Sequence, residues 1–324
     1  MSQAGSAGAV LTEPLSEEQI EQLPVYEWED AQLGDAAPPF VYEVTEQSIA
    51  DYCAAVRNTN PLYLDAAVAA AGPFGGLVAP PTFAFKCAPL RRNEVMHARG
   101  FASPEEKGVR ATPYAKAELH FVRPIRPSDV ITSVVRLQDK YERRGSQFIT
   151  WHTRAVDAHD QLVVEYTYTI IWRQAPRQTE APSAPAAPAA PGPVGEPLPS
   201  ITREESQAAI DRYAELTRVR PRRGHSLHSD AGFAQRTIFG GTVNMGVATA
   251  AYCSEVVERA FGPAALLRPG ARLEFKGTRP VRAGDTITIS GHITGRGPDG
   301  VDCALDVHNQ TATLVGVATA RVLP

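Results

Sequence analysis

The sequence predicts an α+β fold written twice, each copy an antiparallel sheet wrapped around a long central helix. Three observations point there. Motifs recur at a fixed spacing: Asn60-Pro61-Leu62-Tyr63-Leu64-Asp65 returns as His225-Ser226-Leu227-His228-Ser229-Asp230, and Phe74-Gly75-Gly76-Leu77-Val78 returns as Phe239-Gly240-Gly241-Thr242-Val243, both 165 residues on. Each motif group precedes four segments rich in β-branched and aromatic residues with near two-residue alternation, the pattern of a sheet covered on one face. In the second copy, Thr242 to Arg259 is apolar on almost every side until Glu255, as expected of a helix enclosed by a sheet.

Length and composition agree with two units. At roughly 150 residues per domain, 324 residues make about two. With 43% hydrophobic and 21% charged residues the chain has ample core material and is not wholly disordered. Of 27 prolines, eight fall in the 27-residue window Gln174 to Ser200, an Ala/Pro-rich stretch that cannot build a core and suits a semi-rigid spacer. The expected organisation is a disordered acidic tail over 1–24, a first domain over 25–173, a linker over 174–200 and a second domain over 201–324.

Within each copy the elements follow the same order. An amphipathic helix comes first, near Glu46 to Val56 and Arg203 to Thr217, then the repeated loop, then an apolar helix after the glycine pair. The expected strands are Ala117 to Val122, Val130 to Tyr141, Gln147 to Val156 and Val163 to Trp172, answered by Arg272 to Lys276, Thr286 to Thr294, Val301 to His308 and Thr311 to Val322. Arg123-Pro124-Ile125-Arg126-Pro127-Ser128-Asp129 also returns, 156 residues on, as Arg279-Pro280-Val281-Arg282-Ala283-Gly284-Asp285. Its recurrence in both copies argues for a structural turn into the sheet, with a role in binding substrate phosphates as the lesser reading.

Charge and hydropathy narrow the partners. A net charge of -4 with a pI near 6.1 gives no basic footprint, which speaks against nucleic acid and anionic membrane surfaces and for a small partner. Cys53, Cys87, Cys253 and Cys303 are far apart and lie in mainly apolar segments, which favours buried reduced thiols over disulfides or zinc. The N-terminus lacks a basic and apolar leader pattern, so the expected location is cytoplasmic. Ala66 to Phe85 is uncharged and long enough for a membrane span, but Pro73, Pro80, Pro81, Gly72, Gly75 and Gly76 favour a buried loop and helix start.

Several local patterns read blandly. His225, His228 and Asp230 form HxxHxD, which lacks the spacing of a defined metal site, so no metal is expected. Asp230 has a counterpart in Asp65, which suggests the cap of a short helix at Ala231 to Gln235. Gly295 to Gly300 matches GxGxxG but lies between two strands and reads as a hairpin turn.

A buried helix wrapped by an antiparallel sheet is the hot-dog arrangement, and NPLYLD and HSLHSD, each with a following FGG and then RPxRxxD, resemble the MaoC-like hydratase/dehydratases. The likeness spans about Trp28 to Arg173 and Ile201 to Val322 as a double hot-dog. It implies reversible hydration of an enoyl-CoA to a 3-hydroxyacyl-CoA, with no cofactor beyond the coenzyme A of the substrate. It further implies a CoA or acyl-carrier thioester as partner and assembly as a homodimer or with other hot-dog chains.

The family motif sets an Asp five residues before a His, with a backbone N–H at the central helix polarising the thioester. Carried over, His228 matches the His, Gly246 the oxyanion glycine and Ser254 the helix serine that positions the dyad, while Arg223 stands where the Asp belongs. In the first copy Tyr63 takes the His position, Asn58 the Asp position and Pro81, which has no N–H, the glycine position. That half therefore reads as degenerate and as room for an acyl tail. Arg223, His225, Tyr63 and Asn58 are the expected substrate-binding residues. Alternatives are different chemistry on a carboxylated or branched thioester held by Arg223, or an inactive acyl-CoA-binding subunit.

Overall fold

The computed structural model describes residues 15–175, 195–217 and 225–323. The first half runs α1 (Glu17–Gln22), β1 (Phe40–Glu43), α2 (Glu46–Val56), α3 (Pro61–Leu64), α4 (Ala66–Ala71), a 3-10 turn (Pro81–Phe83), α5 (Ala84–Cys87), α6 (Arg92–Ala98), β2 (Tyr114–Phe121), β3 (Val130–Arg143), β4 (Ser146–Val156) and β5 (Leu162–Arg173). The second runs β6 (Ile201–Glu204), α7 (Gln207–Leu216), α8 (Ala231–Arg236), α9 (Gly246–Phe261), β7 (Arg272–Gly277), β8 (Thr286–Gly297), β9 (Gly300–Asn309) and β10 (Leu314–Val322).

The described strands form one ten-stranded antiparallel sheet, ordered β1-β3-β4-β5-β2-β7-β10-β9-β8-β6. The order reads alike from both ends, so the two halves meet as images of each other across the β2–β7 seam. The register obeys the same relation: Glu118 faces Glu274, Lys116 faces Lys276 and His120 faces Arg272, and each residue of β2 is 156 positions before its image in β7. On the inner face of this seam Ala117, Leu119, Leu273 and Phe275 are buried, and each large side chain there contributes about 1.5–3 kcal/mol. On the outer face Lys116 and Lys276 both reach the Glu274 carboxylate, at 3.2 and 2.6 Å.

The repeated motifs turn the chain in the same way twice. Gly75 and Gly240 hold φ of 65° and 60°, a left-handed conformation that favours glycine. In the first half the Arg126 guanidinium donates to the Phe74 carbonyl at 2.9 Å, and Arg282 donates equivalently to Phe239. Asp129 and Asp285 each accept a bond from the backbone N–H three residues earlier, of Arg126 and Arg282, at 2.8 Å. Asp65 and Asp230 cap α4 and α8 as their positions suggested. The GxGxxG stretch is the β8–β9 hairpin, with Gly297 paired to Gly300.

The halves differ at the central helix, and here the expectation of a long helix in both is corrected. In the second half α9 runs sixteen residues, is buried almost throughout, and packs against β2, β7, β8 and β10. In the first half the same stretch is the 3-10 turn plus the four residues of α5, and it stops at Cys87. Pro89 explains the stop. Proline lacks an N–H, its ring crowds the carbonyl four residues back, and it drives the preceding residue out of helical geometry; Ala88 accordingly sits at φ -129°, ψ 66°.

Smaller differences follow from local chemistry. The Arg203 to Thr217 segment begins as edge strand β6, and its helix starts only after the Ser206 cap, which accepts from Ala209 N–H at 3.1 Å. Within the expected N-terminal tail, residues 1–14 lie outside the described residues, but Glu17–Gln22 forms α1 through a capping box of Ser16 and Gln19, with Ile20 buried. Of the linker, 176–194 lies outside the described residues, while Pro197 bridges His292 and Leu198 is buried against the second half. All four cysteines are free and buried, and burial pushes the Cys53 and Cys87 thiols up to about 12. No described helix is long and apolar enough to cross a membrane.

Candidate active site

A cavity of about 1060 Å³ opens between the halves. Its second-half wall includes His225, His228, Asn244 and Gly246; its first-half wall includes Phe85, Pro89, Leu90 and Tyr114. The early end of α5 creates the space, since Pro89 and Leu90 line it where a continuing helix would pass.

Gly246 is the first residue of α9, and no side chain caps this helix end. First-turn N–H groups have no acceptor within their own helix, and among the described residues the Gly246 N–H meets none elsewhere. The residue has to be glycine because Tyr114 lies across it: a Cβ here would stand 2.3 Å from the Tyr114 ring. Tyr114 is fixed in turn by donating its hydroxyl to the Phe275 carbonyl at 2.7 Å and by an edge contact with Tyr168 at 5.1 Å. The helix N-terminus thus presents a fixed, partly positive donor to the cavity.

His228 is half-buried on the turn before α8. Its Nδ1 lies 2.8 Å from the Val243 carbonyl, which can only accept, so Nδ1 carries the proton and the neutral ring has its lone pair on Nε2. Gln207 of α7 fixes the backbone beneath it, donating to the His228 carbonyl at 2.8 Å and accepting from Thr242 at 2.6 Å. His225 lines the same cavity; its Nδ1–H donates to Asp230 at 2.8 Å and its ring stacks on Phe233.

Asn244 and Thr249 are polar groups the sequence reading missed. Both are buried cavity-lining residues beside Gly246, and the Asn244 amide donates to the Thr249 hydroxyl at 3.0 Å. From the first half, Glu105 accepts from Arg92 at 2.5 Å and from the Thr112 N–H at 2.8 Å along the same cavity.

Three expected site residues lie elsewhere. Ser254 is eight residues along α9 from Gly246, about 12 Å at 1.5 Å per residue, and its hydroxyl donates to Glu258 at 2.9 Å. Tyr63 and Asn58 are also buried and donate to that same carboxyl, at 2.9 and 3.2 Å. Glu258 therefore fills the place where the first half would hold a dyad. Burial pushes its carboxyl above the ordinary range, against the pull of the bonds from Ser254, Tyr63 and Asn58. Its signal was present in the sequence as two acids, Glu255 and Glu258, in the last turns of an otherwise enclosed helix. Arg223 lies outside the described residues. Among the described residues no group of three or more His, Cys, Asp or Glu is gathered as a metal site.

Residues 31–166 match the family described as FAS1-like, dehydratase domain region. A UPF0336 protein of Thermobifida fusca is 27% identical over 44% of this chain and 91% of its own length. Among solved structures, a MaoC-like dehydratase superposes with a TM-score of 0.71 at 19% identity, covering 91% of this chain and 99% of its own. A MaoC-like dehydratase of Phytophthora capsici gives 0.65 at 14%, covering 96% and 98%. A Mycobacterium tuberculosis protein described as a double hotdog fold gives 0.60 at 17%, covering 91% and 97%. Residues 31–166 thus resemble the FAS1-like dehydratase region, and the chain as a whole has the double hot-dog fold seen in the MaoC-like dehydratases.

Proposed function

We propose that the chain is a hydratase/dehydratase of acyl thioesters, interconverting an enoyl-CoA and its 3-hydroxyacyl-CoA. One observation carries the reading: the N-terminal N–H of α9 at Gly246 and the His228 imidazole, held through Nδ1 by the Val243 carbonyl, line one cavity. In hydration the Gly246 N–H receives the thioester oxygen. His228 takes a proton from water as the water oxygen bonds to C3, and the double-bond electrons pass through C2 to the thioester oxygen. A proton then reaches C2, so that one water is added in all. A donor already aimed at the developing enolate charge lowers the barrier because it needs no reorganisation during the step.

The volume supports a thioester with a sizeable acyl chain, since about 300–1,000 Å³ is usual for small-molecule sites. The first half contributes apolar wall through Phe85, Pro89 and Leu90 and no second dyad. Coenzyme A or a carrier protein would bring the thioester, and no cofactor takes part in the step.

Hydration of crotonyl-CoA and longer enoyl-CoAs, followed by loss of the conjugated thioester absorbance, tests this. The wild type should turn over at least one of them, and His228→Ala should lose at least about 10²-fold in kcat. A wild type without turnover on any chain length, or a variant of unchanged rate, would overturn the assignment.

A further inference from the structure

Addition of water across the double bond takes one proton from water and delivers one to C2, and His228 is assigned only the first transfer. We infer that His225, held by Asp230, is the proton donor to C2. This rests on the hydratase/dehydratase reading and goes beyond it by naming the second proton-transfer group.

The comparison between halves carries the inference. Asn60, the counterpart of His225, is a capping residue: its side chain accepts from the Leu62 N–H at 3.0 Å at the start of α3. The second half has no helix at that point, and the local bond is made by Ser226, whose hydroxyl accepts from the His228 N–H at 3.1 Å. His225 is thereby released from capping. Its side chain is 40% exposed, lines the cavity with His228, and gives its Nδ1–H to Asp230 Oδ2 at 2.8 Å. The other oxygen of Asp230 accepts from Phe233 N–H at 2.9 Å, so helix α8 fixes the carboxylate.

The ring is held on two sides. The Asp230 carboxylate bonds Nδ1, the Phe233 ring stacks at 5.1 Å, and Gly108 of the first half lies beside the Cδ2–Nε2 edge, where its lack of a Cβ, which would stand 2.8 Å from Nε2, leaves that edge room toward the cavity. A carboxylate on Nδ1 orients an imidazole and favours its protonated form, the arrangement that serves proton transfer in hydrolytic triads. Asp230 follows His225 by five residues, so an acid-histidine pair is present although Arg223 occupies the place before His228.

The step balances. His228 gains the proton lost by water, the C3–O bond forms, and the imidazolium form of His225 gives its Nε2 proton to C2 as the enolate collapses. Solvent then returns the proton from His228 to His225. In dehydration the roles reverse.

The test compares His225→Gln, Asp230→Asn and His228→Ala in the full chain, with kcat and KM for enoyl-CoA hydration measured across pH. In the wild type kcat/KM should fall at low pH, as the base that accepts the water proton is lost, and at high pH, as the donor to C2 is lost. His225→Gln should lower kcat by about 10²-fold and remove the high-pH fall. Asp230→Asn keeps an oxygen for the Phe233 cap but turns an amide N–H toward Nδ1, and should lower kcat at least about tenfold with KM and melting temperature little changed. If His228→Ala abolishes turnover while His225→Gln keeps the wild-type rate and both limbs of the pH profile, the inference is wrong and the hydratase reading stands. If His228→Ala changes nothing, the hydratase reading itself fails.

Discussion

Equivalent sites in the two halves met opposite fates through the helix that faces each. Opposite Asn58 and Tyr63 of the first half, α9 runs unbroken and delivers Glu258, which both residues bond along with Ser254. Opposite His228 of the second half, α5 ends at Cys87 because Pro89 follows, and Pro89 and Leu90 become wall. Positions cognate to Ser254 and Pro89 are 165 residues apart, so one substitution type at one helix position separates a filled site from an open one. The lesson is that the loss of a dyad on one half is only part of the asymmetry; what stands across from it decides whether a cavity exists.

The largest effect expected from probing this comparison is at the open site. Gly246→Ala sets a methyl group against the Tyr114 ring, and should lower kcat/KM about 10²–10³-fold by displacing the proposed donor to the thioester oxygen, with about 1–3 kcal/mol lost to overpacking. Enoyl-CoA kinetics beside thermal melts check both. A variant that keeps full activity would remove Gly246 from the site.

At the filled site the effect falls on stability instead. Glu258→Ala strands Tyr63, Asn58 and Ser254 and should cost about 1–3 kcal/mol in urea unfolding while KM stays unchanged. A clear rise in KM would mean that the two sites communicate. Glu258→Gln is milder and depends on pH. The folded carboxyl holds its proton to higher pH than the unfolded one, whose ordinary value is 4.5. Stability from this group is therefore complete below that value and declines as pH rises from it toward the folded value. The melting temperature of the Gln variant should gain on the wild type over that rise; a constant difference from about pH 4 to 8 would show that Glu258 is not the titrating group.

The smallest effect separates two copies of one motif. Arg123 bonds Asp129 at 2.8 Å and Asp157 at 3.1 Å, so Arg123→Ala should cost up to about 1 kcal/mol. The Arg279 side chain is exposed at the cavity mouth and makes no hydrogen bond or ion pair among the described residues, so Arg279→Ala should stay within about 0.5 kcal/mol. Equal losses would restore the two arginines to one structural role.

Much of the fold was legible because its periodicities are local. The strands of both halves and α2 stand within a few residues of where alternation and amphipathicity set them. Edge strands β1 and β6 escaped notice because four residues are too few to show a period. The broken central helix was legible only in part: a proline at 89 disfavours helix, but whether it kinks the helix or ends it is decided by packing that local sequence does not show. At the site, the motif named His228 and Gly246, which line one cavity, whereas Ser254, Tyr63 and Asn58 gather on Glu258 away from it. Their actual partner, Glu258, lies 195 residues from Tyr63 in sequence, beyond the reach of any local spacing.

The self-complementary register of the β2–β7 seam is that of two like subunits meeting about a two-fold axis. In a dimer of separate identical chains, every substitution is made twice, and a proline that opened one cavity would break the opposing helix as well. Covalent fusion lifts that restriction. Here one copy could keep a whole helix for support while the other gave up half of its own and left a cavity.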